Sequence, residues 1–382
     1  MRARASRRVL GELPRLVGVI PQALARNRLR NMSQQMVTMG DVARLAGVSI
    51  TTVSHVLNGT RPASEAATRR VMEAVERTGY TPNTIARALA RASTQSLGLA
   101  ISGLANPYFT DLIAAVEREA GRAGHTLLLG DTREDPEHEL RIVRALAERQ
   151  VDGMLLAPTV GAVEHALPYL ESQGVPTVLL DRFVDVGLDQ VGCDNEQPTA
   201  QLVEHLIAKG HTRIAMAIGI PGLSTTDERV RGYRMALEQG GLGFDPALVA
   251  EGGSQRDVAR DAMHALLDLP DPPTAVVSGN NFMTIGLLRA IAERGLTVPD
   301  DLALVAFDDF EWADLFAPRL TVIRQPTTEL GSRAVELLLS RLSDPDRPLR
   351  TERLEALFVH RNSCGCTGPS PAMQVRAQPS LA

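Results

Sequence analysis

The chain has 382 residues, 44% of them hydrophobic and 3% aromatic, with a net charge of −5. That length holds two or three domains with real cores, and no run reaches the roughly 18 apolar residues that span a membrane. Residues 1–96 carry 15 Arg and Lys against 5 Asp and Glu, while the rest carries 25 against 40, so a basic head that can meet phosphate precedes an acidic body that cannot.

Residues 1–36 begin with four Arg and an apolar patch, but Pro14, Arg15 and Pro21 leave only Val17–Ile20 continuous. A secretory segment needs about 7–15 apolar residues. The stretch reads as a basic disordered extension, or as sequence upstream of a true start at Met36. The predicted location is cytoplasmic, in association with the nucleoid.

Residues 37–58 predict two short helices and a tight turn. Val42, Leu45 and Ala46 make an apolar stripe on the first helix. Gly47 can close it in the left-handed conformation, and Ser49 can N-cap the second helix. There Val53, Val56 and Leu57 face inward, while Ile50, Thr51, Ser54 and His55 face out. This is the helix-turn-helix pattern of DNA readers, although a plain αα-hairpin carries the same stripe. Ser64 can cap a third helix that ends at Thr78-Gly79. Residues 83–90 could form two further helical turns, too short to be stable alone.

From Leu97 short unbroken apolar runs alternate with amphipathic helices. The runs are 97–102, 126–130, 153–157, 176–180, 190–193, 213–218, 274–278, 302–307 and 320–323. Such alternation predicts a parallel α/β body, and its length calls for two Rossmann-like lobes with a cleft between them. Ligands in such folds sit at the carboxyl ends of strands. Those ends carry Asn106, Asp131, Asp181-Arg182, Asn280-Asn281, Asp308-Asp309 and Gln325, and Arg229 opens a helix. Carboxylates, amides and Arg suit a polyhydroxylated ligand, with Tyr108, Phe109 and Phe307 as apolar faces.

Phosphate-binding loops and the nucleophile elbow are absent. Asp308-Asp309 should point in different directions, which argues against acid–base catalysis. Cys193, Cys364 and Cys366 read as reduced thiols. Cys364-Gly-Cys366 is too tightly spaced for a zinc half-site and lacks a second pair, and the eight His form no metal-spaced group. No metal or cofactor is expected.

Asp41-Val-Ala-Arg-Leu-Ala-Gly-Val-Ser49, Thr52-Val-Ser54, Val56-Leu-Asn58, Tyr80-x-Pro-Asn83 and Ala86-Arg-Ala-Leu89 occur in order. They are followed by Asp181-Arg182, Gly210-His-Thr-Arg-Ile214, Arg229-Val-Arg-Gly-Tyr233, Phe307-Asp-Asp309 and Leu320-Thr-Val-Ile-Arg-Gln-Pro326. From Val37 to about Gly368 the chain resembles the lac repressor (LacI/GalR) family of bacterial transcription regulators.

The resemblance implies a small all-α helix-turn-helix head on an α/β body of two Rossmann-like, periplasmic-binding-protein-like lobes. The head is 37–81, hinge helix and linker 82–96, and the effector-binding and dimerisation body 97–367. Lobe 1 is about 97–194 and 325–353, lobe 2 about 195–324 and 354–367, with a disordered tail at 368–382. It further implies a homodimer on palindromic double-stranded operator DNA, with no enzyme activity and no membrane. Ser49, Ile50, Thr51, Thr52, Ser54, His55, Asn58, Arg87 and Leu89 fall on DNA-binding positions. Of these, Ile50, Thr51 and His55 match base-reading positions, and Leu89 matches a minor-groove wedge.

Asn106, Tyr108, Phe109, Asp181, Arg182, Arg229, Asn280, Asn281, Phe307, Asp308 and Gln325 fall on ligand positions, for a sugar or sugar derivative. The alternatives are a solute-binding protein without a DNA role, or a regulator sensing a nucleoside or sugar phosphate, with Arg133 or Arg324 as the added cation for a phosphate. The chain departs from the family at His55, commonly Arg, at Asn281, commonly Asp, and at Glu134, where an amide is common. Effector sign and operator sequence stay open.

Overall fold

The computed structural model describes residues 37–58, 61–81, 93–315 and 317–366. The expectations for residues 1–36, for the hinge with Arg87 and Leu89, and for the tail lie outside these. The chain divides into two compact units, one up to Ala90 and one from Arg91.

In the first unit, helix α1 spans Met39–Ala46, α2 Ile50–Asn58 and α3 Glu65–Thr78. Thr38 and Asp41 cap α1 reciprocally, each side chain accepting from the other's backbone N–H. Gly47, at φ 63°, ends α1, and Gly79, at φ 65°, ends α3, a conformation other residues adopt only with strain. The Ser64 hydroxyl accepts from Ala67 N–H at 3.3 Å. Val42, Ala43, Ala46, Val53, Val71, Ala74 and Tyr80 form the core. One expectation fails: Leu45 is 44% exposed and Ala43 takes its inward place. The buried face of α1 is thus Val42, Ala43 and Ala46.

The second unit holds two sheets. The first has order β11-β5-β4-β3-β1-β2, all pairings parallel, from β1 Ser96–Ile101, β2 Thr126–Asp131, β3 Gly153–Leu156, β4 Thr177–Leu180, β5 Asp189–Cys193 and β11 Thr351–Leu354. The second has order β12-β10-β9-β8-β6-β7, from β6 Ile214–Ile218, β7 Val249–Glu251, β8 Ala275–Ser278, β9 Ala303–Phe307, β10 Thr321–Arg324 and β12 Leu357–Val359. There β12 alone runs antiparallel.

Helices cover both faces of each sheet, so the central strands are buried throughout, which is why they read as unbroken apolar runs. On the first sheet α4 Pro107–Arg122 and α11 Thr327–Ser343 pack on one face, α5 Pro136–Glu148 and α6 Ala166–Ser172 on the other. On the second sheet α7 Glu196–Ala208 and α8 Ser224–Gln239 oppose α9 Arg256–Leu267 and α10 Asn281–Glu293. Helices α7 and α8 touch backbone to backbone at Gly232, where a Cβ would collide with the Glu196 carbonyl.

β7, β11, β12 and α6 are not expected from the sequence. The strands are three or four residues long and partly exposed, so no apolar run marks them. A second correction concerns the C-terminal cysteines. His205, from the last turn of α7, and His360, after β12, come beside Cys364 and Cys366, all four ligand atoms lying within 4.8 Å of one another. Residues 155 positions apart in sequence, as His205 and His360 are, share no local spacing to read.

Candidate functional site

The head presents one face of α2. The Ser49 hydroxyl accepts from Thr52 N–H at 3.0 Å and lies 2.8 Å from the Thr52 hydroxyl, so both are held at the helix start. Val53 is fully buried beneath, which turns Ile50, 56% exposed, and Thr51 outward. Ser54 and His55 are half-buried on the same helix. The Asn58 side chain lies outside the description.

The second candidate is a cleft of about 550 Å³ between the two sheets of the body. Both sheets have their switch of strand order beside the first strand, between β1 and β3 and between β6 and β8, where ligands bind in open α/β folds. Of the eleven ligand positions expected from sequence, nine line it: Asn106, Tyr108, Phe109, Asp181, Arg182, Arg229, Asn280, Asp308 and Gln325. Phe307 and Asn281 stand behind the wall. Phe307 offers its ring to the Arg229 guanidinium carbon, 3.7 Å from the centroid. Asn281 is fully buried, and neither polar atom of its side chain has a partner.

Both cleft asparagines cap helices. Asn106 Oδ1 accepts from Tyr108 N–H at 3.0 Å, and Asn280 Oδ1 accepts from Met283 N–H at 2.9 Å. The caps fix the flip of each amide, so each has its Nδ2 left to donate. Two carboxylates answer them from the ends of β4 and β9. Asp181 and Asp308 sit at φ 71° and 75°, the left-handed region that Asp tolerates better than most side chains. Burial pushes both carboxyls above the usual carboxylate range, against the pull of Arg182 on Asp181 and of Arg229 on Asp308. Tyr108 donates to Asp181 at 2.5 Å, and Gln325 donates to Asp308 at 2.7 Å.

Arg229 is held on three sides. Its Nε donates to Asn195 Oδ1 at 3.0 Å, its Nη1 donates to the Gly279 carbonyl, and Phe307 lies beneath. The Arg229–Tyr233 motif divides its work accordingly. Arg229 enters the cleft, Gly232 lets α7 approach, and Tyr233 anchors the core through its hydroxyl on the Ile214 carbonyl at 2.7 Å. Arg182 donates to both oxygens of Glu134, at 2.9 and 2.5 Å, and to the Pro158 carbonyl at 2.9 Å. Burial works against its charge, and Glu134 more than offsets that, keeping it a cation.

Sequence reasoning missed several lining residues, among them Ser254 and Arg256, which follow the short, partly exposed β7, and Phe282 in the first turn of α10. Arg133 lines the cleft as foreseen. Arg324 is instead committed to Asp309, at 2.9 and 2.5 Å. Asp309 also accepts from Arg361, so Asp308 and Asp309 diverge and share no proton.

Residues 38–83 match the model for bacterial regulatory proteins of the lacI family, and residues 203–364 match a periplasmic binding protein-like domain. The chain is 36% identical to the HTH-type transcriptional repressor PurR of Aliivibrio fischeri (strain MJ11), covering 86% of this chain and 98% of the relative. It is also 36% identical to the ribose operon repressor of Escherichia coli K12, covering 86% of this chain and 100% of the relative. Among solved structures, the lac repressor dimer bound to operator and the anti-inducer ONPF superposes with a TM-score of 0.77 at 28% identity, covering 86% of this chain and 99% of that one.

Proposed function

The chain belongs to the lacI family of bacterial regulatory proteins, a DNA-binding transcriptional regulator under small-ligand control, and from that premise we propose that it is a sugar-responsive repressor. It acts in the cytoplasm as a homodimer on a palindromic operator. The head is residues 37–81, the hinge 82–96 and the body 97–367. Ile50, Thr51 and His55 read base edges. Thr52, Ser54 and Asn58 hold the DNA backbone, Ser49 lies among the DNA-binding positions, and Arg87 and Leu89 complete the contact at the hinge.

The observation that carries the sugar reading is the pairing of fixed donors with fixed acceptors. Asn106 and Asn280 have their amide nitrogens left to donate, and Asp181 and Asp308 accept, one set from each lobe. A sugar hydroxyl both donates and accepts, so neighbouring hydroxyls satisfy such a set. Arg229 adds a charged donor at a fixed angle. Ligand contact with both lobes favours the arrangement that brings them together, and a few kcal/mol of differential affinity suffices to shift operator binding.

A thermal-shift panel of pentoses, hexoses and disaccharides, followed by operator titration, tests this. A neutral sugar should raise the melting temperature and change operator affinity. A panel in which only nucleosides or phosphorylated sugars act defeats the neutral-sugar assignment. One observation favours a phosphorylated sugar as second reading: Arg133 and Arg256 line the cleft, and neither enters an ion pair among the described residues.

A further inference from the structure

On the second sheet, away from the cleft residues, two imidazoles and two thiols converge. His205 Nε2 lies 3.7 Å from Cys366 Sγ, and His360 Nε2 lies 3.5 Å from Cys364 Sγ. All four ligand atoms fall within 4.8 Å of one another. The side chains come from three separate places: the last turn of α7, the end of β12, and the turn that follows it. Gly365, at φ 82°, makes the reversal that turns both cysteines to the same side, since other residues resist that conformation.

We propose that His205, His360, Cys364 and Cys366 form a tetrahedral binding site for zinc or a zinc-like divalent ion. With Zn–S near 2.3 Å and Zn–N near 2.0–2.1 Å, adjacent sulfur and nitrogen ligands of a tetrahedron stand about 3.5–3.6 Å apart. The two S···N separations, 3.5 and 3.7 Å, lie within about 0.1 Å of that range. Two sulfurs and two nitrogens suit zinc among common divalent metals. Taking up the ion as a dithiolate releases two thiol protons to solvent and leaves the four-ligand cluster neutral. Cys364 is fully buried and Cys366 half-buried, so the ion enters past Cys366.

The surroundings fit a built site. The Thr321 hydroxyl donates to Cys364 Sγ at 3.3 Å, the kind of outer contact that orients a thiolate ligand. His205 and His360 meet edge to face with centroids 5.0 Å apart, and His205 also packs against Phe358 at 5.5 Å. The ion would pin the segment after β12 to α7, the helix whose opposite end begins beside Asn195, the partner of Arg229.

The test uses the full-length protein in reducing buffer. After incubation with zinc chloride and desalting, metal analysis should find a single zinc ion per chain, and cobalt(II) should give the visible bands and thiolate charge transfer of a tetrahedral site. Both should be lost in Cys366→Ser and in His205→Gln. Should either variant fail to fold, the wild type alone decides: zinc should slow alkylation of Cys364 and Cys366 at least tenfold while Cys193 labels at its usual rate. Absence of retained zinc, equal labelling with and without it, a Cys364–Cys366 disulfide in the reduced preparation, or undiminished zinc in folded variants each overturns the proposal.

Discussion

Glu134 and Arg182 face each other as a fork, two nitrogens on two oxygens at 2.9 and 2.5 Å, at the edge of the cleft. Arg182 keeps 6% side-chain exposure and Glu134 keeps 22%. Removing one partner of a fully buried pair costs about 3–5 kcal/mol, because the other charge is stranded. Water can reach Glu134, so Glu134→Ala should cost about 2 kcal/mol. Urea unfolding at pH 7 measures this, and an unchanged midpoint would show that the pair contributes nothing net. The same variant removes one negative charge from the cleft edge and leaves Arg182 with Asp181, 3.6 Å away, as its counter-charge, so ligand preference in a thermal-shift panel should move toward anionic sugars.

Arg229 is fixed by Asn195, the Gly279 carbonyl and the Phe307 ring. A charge-assisted hydrogen bond contributes about 1.5–3 kcal/mol, so Arg229→Ala should weaken effector binding about 10- to 150-fold. Arg229→Lys should fare little better, since a lysine cannot bond Asn195 through a side nitrogen while stacking flat on Phe307. Effector-free operator affinity should stay at the wild-type value in both. Full effector response in Arg229→Lys would mean that only the charge matters.

Asp181 and Asp308 combine a left-handed backbone with a carboxylate, and the two can be separated. Asn tolerates the same φ, so Asp181→Asn and Asp308→Asn should fold normally but lose an acceptor, with at least about tenfold weaker effector binding. Asp→Ala adds backbone strain of about 1 kcal/mol or more at either position. Equal melting temperatures for the Asn and Ala variants would refute the backbone argument; unchanged calorimetric affinity in the Asn variants would refute the acceptor role.

These sites differ in how plainly the sequence announces them. Strand ends are legible because a buried parallel strand is an apolar run that stops abruptly, and Asn106, Asp181, Asn280 and Asp308 each follow such a stop. The caps at Gly47, Ser49 and Ser64 are local chemistry and read equally well. What stays hidden depends on chain reversals that bring distant residues together. Glu134 and Arg182 are 48 positions apart. Phe307 has the right composition for a ligand face, yet its ring turns to Arg229 instead of the cavity. Leu45 shows the limit of periodicity, which predicts a stripe but not its edge: Ala43 is buried and Leu45 is exposed.

At His55, on α2, the head carries an imidazole where the resemblance noted in the sequence implies an arginine. An arginine can grip guanine O6 and N7 with two bonds, worth about 1–3 kcal/mol of discrimination, whereas imidazole offers one. His55→Arg should therefore select operators with guanine at one symmetric pair of positions, with roughly 5- to 150-fold preference over the other bases. Selection from a randomised palindromic library reads this directly. Identical operator logos for the two proteins would place His55 away from the bases.

Glu139 lies fully buried on α5. Its Oε2 accepts from Thr159 N–H at 2.8 Å, while Oε1 has no partner. Burial raises its pKa from 4.5 to about 7, against the lowering by the Thr159 N–H bond and Arg182. Between those two values the unfolded chain has given up a proton that the folded chain retains, so folding takes up a proton and stability falls as pH rises. The contribution is intact below pH 4.5 and lost above about pH 7. Glu139→Gln keeps an oxygen for Thr159 and removes the ionisation. It should be more stable than wild type by about 1–3 kcal/mol at pH 8 and show no such gain at pH 5. Urea unfolding of both proteins across that range decides the matter: parallel stability curves would mean that Glu139 titrates alike folded and unfolded, with water reaching it in the native state.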